Sequence, residues 1–168
     1  MSSQHTEQSA PEAVHLATID GQRGKWAGAQ GKYSREHLWH LAGGAKLQAS
    51  DSPVLLPKGF ADRAAVNPET MLVAAVASAH MLSWLNVAFG MGIEVVSYRD
   101  AAHGVLSESS AGGDLGVSEV VLHPRITVDP HVQISAEALA HLHALAHEQC
   151  FIARSIKARV TVRPLAEP

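Results

Sequence analysis

The chain has 168 residues, 46% of them hydrophobic, and a formal charge of −3. That length fits one domain with a real core and is short for two. No Lys/Arg block stands out, so the pattern offers neither a nucleic-acid footprint nor a surface for an anionic membrane. A single cysteine, Cys150, rules out an internal disulfide framework and points to a reducing, cytoplasmic setting.

The opening "MSSQHTEQSAPEA" has no basic region followed by an apolar core and no small-residue cleavage site. Residues 1–12 therefore read as a polar, mobile lead rather than a signal peptide, and 13–168 as a single domain. "AVHLATID" (13–20) alternates loosely and predicts a strand, and "SREHLWHLAG" (34–43) predicts a second. The Gly/Lys-rich "GQRGKWAGAQGKY" between them predicts loop and turn, with a short extended piece around Trp26. Residues 48–66 form a long, Pro-punctuated connection, a type that is often functional or mobile.

"NPETMLVAAVASAHMLSWLNVAFGMG" (67–92) predicts a long helix. Asn67 suits the N-cap, Pro68 the first helical position and Glu69 the positive end of the dipole, and Gly90 and Gly92 supply the stop. The run approaches the roughly 20 apolar residues that span a bilayer. It carries His80, Ser83 and Asn86 and lacks basic flanks, so it is expected to be a buried core helix, apolar nearly all round. "IEVVSYRDAAHGVL" (93–106) and "GVSEVVLHPRITV" (116–128), joined by the turn-type "SESSAGGDL", predict a long hairpin. Ser135 caps a second, amphipathic helix, "AEALAHLHALAHEQ", with Leu139, Leu142 and Ala146 on one stripe. A short helical turn after Cys150 and a strand in "KARVTV" (157–162) complete an α+β order with an antiparallel sheet.

Two segments together resemble the OsmC/Ohr family. "NPETMLVAAVASAHMLSWL" is similar to its central-helix motif, N/S-P-E-x-L-x-x-A-A-x-A-x-C, and "HEQCFIARSI" to its second motif, H-x-x-C-P-Y-S-R-S. The resemblance covers about residues 13–164. It implies an intertwined α+β homodimer, its sheet wrapped around the central helix, with active sites at the interface. It also implies reduction of organic hydroperoxides through two cysteines, an arginine and a glutamate, with no cofactor. On this sequence the glutamate falls on Glu69 and the second, resolving cysteine on Cys150. The first, peroxide-attacking cysteine falls on Ala79, and a methyl group cannot attack a peroxide. Arg35 is the candidate for the arginine, with Arg23 behind it.

The residues themselves leave alternatives open. A thiol near a helix N-terminus and a cation such as Arg154 gains thiolate character, and thiolate reacts with peroxide to give a sulfenic acid. With one cysteine, an external thiol would have to restore it. Equally, a free cysteine is commonly an inert core filler. Glu69 either orients an arginine or simply sits at a favourable dipole position. Ten residues of straight helix place it about 15 Å from Ala79, so either the helix bends or, the preferred reading, a second subunit completes its site. His80 reads as a core imidazole bonded to a carbonyl, or as part of a pocket with Trp84 and Phe151; Phe151 could equally plug the core, while Trp39 and Tyr98 fit core or pocket wall. His143, His147 and Cys150 at i, i+4 and i+7 form a possible metal set if the helix runs that far. Two function classes follow: a thiol-dependent enzyme on organic hydroperoxides, weakened or silenced at Ala79, and a non-catalytic binder or thiol sensor for a small ligand on the same fold.

Overall fold

The computed structural model describes residues 13–21, 35–55, 64–108 and 113–165. The extended piece expected around Trp26, and Arg23 with it, lie outside these residues. The chain divides into two compact units, residues 1–66 and 67–168.

The first unit is a three-stranded antiparallel sheet of β1 (Ala17–Asp20), β2 (His37–Leu41) and β3 (Lys46–Ala49), in that order. β3 was not evident in the sequence: four residues with one lysine carry too little alternation to mark a strand. It follows β2 through a tight turn where Gly43 and Gly44 adopt φ of 88° and 90°, conformations glycine reaches without a Cβ clash. On β2, Trp39 donates its indole N–H to His37 Nε2 at 2.8 Å. His37 Nδ1 therefore holds the ring's proton and donates to the Arg35 carbonyl at 2.8 Å.

The second unit holds the long helix, α1 (Pro68–Gly90), and the rest of the core. It starts as the sequence implies: the Asn67 side chain accepts from the Thr70 N–H at 2.9 Å, and Pro68 spends no needed donor. It ends as Gly92 turns to φ 71°. By length and composition α1 is apolar enough to cross a membrane. It instead packs against strands and another helix, and Gly104 of the sheet gives way to it, since a Cβ there would lie 2.7 Å from Val73.

The strands of the predicted hairpin pair, but the ladder breaks in the middle. β4 (Val95–Asp100) pairs antiparallel with β7 (Pro124–Val128), and β5 (His103–Glu108) with β6 (Leu115–Leu122). Ala101, Ala102 and His123 interrupt the ladder, and Asp100 bridges the gap by accepting the His123 N–H at 2.7 Å. The C-terminal strand β8 (Arg159–Val162) joins β6 in parallel, the one exception to an antiparallel pattern among the described strands. α2 (Ala136–Gln149), capped by Ser135, lies along α1, and the single turn α3 (Phe151–Ser155) also reaches α1.

One core cluster joins Trp84, Val87 and Ala88 of α1 to Ile126, Leu142 and Ala146; another joins Val76 to Val120 and Leu122. The single chain does not cover α1 on every side. Ala75, Ser78, Leu82, Asn86 and Phe89 form an exposed stripe spaced three or four residues apart, with Leu82 60% and Phe89 84% exposed. One chain of this size does not supply enough partner surface to cover such a helix on every side.

Candidate functional site

Cys150 occupies the junction of α2 and α3. Its backbone turns out of the helix at φ −74°, ψ 108°, while its N–H still reaches the His147 carbonyl at 3.2 Å. The thiol is buried, 1% exposed, and unbonded to any other cysteine. Because α2 stops at Gln149, the i, i+4, i+7 arithmetic does not build a helical ligand set. Among the described residues no three His, Cys, Asp or Glu side chains come together as a metal site, so the His143/His147/Cys150 alternative is not supported. Arg154 is not turned to the thiol: its guanidinium lies 5.2 Å over the Phe151 ring, a cation–π contact. Phe151 itself is 76% exposed and plugs no core.

The side chain that sequence reasoning placed least well is His80. It is 1% exposed and does not bond a carbonyl; its Nε2 lies 3.1 Å from Nδ1 of His143, itself 4% exposed. The two rings stack at 5.4 Å and 9°, and Trp84 leans on His143 at 5.8 Å. Burial, then the positive charge each imidazole would present to the others, holds His80 down from 6.5 to about 4; burial alone does the same to His143. Both rings are therefore neutral at pH 7, which is what allows one to donate and the other to accept. Sixty-three residues separate the pair, so no motif or helical spacing could have shown it.

Trp84 is fully buried between His143 and Tyr98, so it belongs to the core rather than to an open pocket wall. Tyr98 is half-buried against it, and burial raises its phenol well above the usual range. Ala79 is half-buried on α1, one residue before His80. Glu69 stands in the first turn of α1 with Oε2 buried and unpartnered among the described residues. Continuous helix from Pro68 to Gly90 keeps it ten residues, about 15 Å, from position 79. Arg35 lies just before β2 in the first unit, paired with Asp51 at 2.9 Å, a partner the sequence did not suggest.

The described groove on the second unit lies elsewhere. It has a volume of about 630 Å³ and is lined by Ile126, Val128, Val132, Gln133, Ile134, Ser135 and Leu139. None of the expected site residues borders it.

An α+β unit with a long capped helix, a broken hairpin, and a cysteine between a second helix and a helical turn defines the OsmC-like class. The family model for OsmC-like proteins matches residues 60–164, and the chain belongs to that family. It is 35% identical to an OsmC-like protein of unknown function from Vibrio cholerae, with a TM-score of 0.86 over 92% of this chain and all of that one. The fold is shared with an organic hydroperoxide resistance protein OsmC from Legionella pneumophila, 22% identical over 92% and 97% of the two chains, TM-score 0.65. It is shared likewise with the organic hydroperoxide resistance protein OhrB of Bacillus subtilis, 17% identical over 92% and 98%, TM-score 0.65. No curated protein matches the chain.

Proposed function

We propose that this protein acts in cytoplasmic defence against organic hydroperoxides, with Cys150 as its single redox centre and an external thiol as its reductant. The observation that carries the reading is Cys150 itself: the chain's only sulfur nucleophile sits at the α2–α3 junction of an OsmC-like fold. Thiolate sulfur attacks the terminal peroxide oxygen, the O–O bond breaks, and sulfenic acid and an alcohol result. One external thiol then forms a mixed disulfide and releases water; a second restores Cys150. Added cumene hydroperoxide is expected to give sulfenic acid or a mixed disulfide at Cys150 by mass spectrometry, and a thiol left unmodified would end this reading. Two observations favour the second reading, a non-catalytic binder or sensor: Ala79 offers no nucleophile, and the thiol is 1% exposed.

The working unit in this proposal is a homodimer. The exposed stripe on α1 presents Leu82 and Phe89, large apolar side chains of the kind that self-association covers. Glu69, whose buried oxygen has no partner among the described residues, is the group whose site a second chain would complete in this arrangement. Sedimentation at micromolar concentration is expected to show a dimer, and Leu82→Glu to shift it to monomer. Wild-type protein sedimenting as a monomer contradicts the arrangement.

A further inference from the structure

We infer that His80 and His143 form an acid-opened latch, which holds α2 against α1 while the two imidazoles are neutral and releases it when both take up a proton. The inference is independent of the hydroperoxide reading. His80 Nε2 and His143 Nδ1 lie 3.1 Å apart within the contact of the two helices. The rings are 1% and 4% exposed and stack at 9°, with Trp84 leaning on His143. A bond between two ring nitrogens needs one N–H and one lone pair, and neutral imidazoles supply both. One added proton leaves a lone pair in place, so the bond survives. A second proton turns both facing nitrogens into donors and sets two like charges against each other in the core.

No neighbouring group offsets that charge. The outer nitrogens, His80 Nδ1 and His143 Nε2, have no partner among the described residues. On α2, His147 would add a third positive charge to those felt by His80. The other charged side chain of α1, Glu69, stands away in the first turn. On β4, Asp100 is taken up by the His123 N–H and lies beside Tyr98. Arg154 of α3 is held over Phe151. Burial, with the neighbouring imidazoles in the case of His80, keeps both rings at about 4 instead of 6.5. Opening restores their water and with it their ordinary affinity for protons, so falling pH drives the open form. Two protons taken up together raise the opening equilibrium about 100-fold per pH unit inside that window.

The opening is local because the core has two parts. Leu142 and Ala146 of α2 pack with Trp84, Val87, Ala88 and Ile126. The cluster of Val76, Val120 and Leu122 contains no residue of α2 and is backed by Val160 and Val162 of β8. Release of α2 therefore leaves the second cluster in place, and it bares Trp84, Leu142 and Ala146. The acid form carries an apolar face that the neutral form hides, ahead of any loss of the whole unit.

Amide hydrogen exchange of the full chain, without denaturant, tests the latch. Protection of the Leu142, His143 and Ala146 amides is expected to fall about 100-fold per pH unit between pH 6 and pH 4.5. The amides of Val120, Val121 and Leu122 on β6 are expected to stay about 100-fold or more better protected than these throughout. Equal protection of the two sets at each pH would mean that the unit opens only as a whole. Protection of α2 that is constant with pH would mean that opening takes up no proton. Either result overturns the latch. In His80→Gln protein, where one proton remains to be taken up, the α2 slope is expected to drop to about tenfold per pH unit. A slope still at 100-fold in that variant overturns the latch as well, and the wild-type comparison decides alone if the variant does not fold.

Discussion

Replacing Ala79 by cysteine is expected to raise hydroperoxide consumption about tenfold or more over the parent protein in the presence of a dithiol. The reasoning is kinetic. With one cysteine, the sulfenic acid waits for an external thiol, a bimolecular encounter at a buried atom. A second thiol in the same chain turns that encounter into an intramolecular step, and well-oriented intramolecular reactions reach effective concentrations far above any solution reductant. Ala79 is half-buried on α1, beside His80, in the position where the family's motif carries its first cysteine. A disulfide between residues 79 and 150 needs Cα atoms about 4.4–6.8 Å apart. The Ala79→Cys protein should therefore form an internal disulfide after one equivalent of peroxide, seen as a loss of both free thiols. Unchanged turnover with two free thiols would mean that the two positions do not meet, and that more than a methyl group separates this chain from a two-thiol enzyme.

Acid should unfold the second unit early. His80 and His143 are held neutral, at about 4 instead of 6.5, because the core penalises their charge. The unfolded chain takes up protons at those positions near pH 6.5, and the folded one does not until about pH 4. Stability from this source is complete above the unfolded value and is lost as pH falls through the window between the two. The slope is about 1.4 kcal/mol per pH unit for each proton concerned. Asp100 works in the opposite sense, since burial raises its carboxyl above the usual 3.8, but one group does not offset two. Urea midpoints followed by tryptophan fluorescence should fall steadily from pH 7 to pH 4.5. The double variant His80→Gln/His143→Gln should flatten that fall, and a wild-type midpoint constant across the range would contradict neutral burial of the pair.

Local chemistry was legible in the sequence wherever the deciding contacts are local. Asn67, Pro68 and Ser135 mark helix starts because a cap bonds a donor three residues on. Gly113, just before β6, takes a φ of 78°, a conformation glycine reaches without a Cβ clash. The break in the hairpin and the parallel β6–β8 pairing were not legible, since neither alters the alternation within a strand. The same limit divides the site. Glu69, Ala79 and Cys150 are named by two short motifs alone. His80 could be named but not explained, because its partner lies on another helix and only packing brings the two imidazoles together. Phe151 shows the converse: an aromatic beside a buried cysteine invites a pocket-wall or core assignment, yet a one-turn helix turns it outward under Arg154. The apolar circumference of α1 was legible as composition, and so was the difficulty of covering it within one chain; the sequence did not say that the uncovered stripe runs through Leu82 and Phe89.

Hydroperoxide chemistry at this site requires that the buried sulfur of Cys150 meet a peroxide in the folded protein. Native protein treated with one equivalent of cumene hydroperoxide and then dimedone, with free cysteine in the same solution as an internal control, answers this. A dimedone adduct confined to Cys150, formed without loss of the folded tryptophan signal, is the predicted result. An unlabelled Cys150 in a solution whose free cysteine has been oxidised would contradict it.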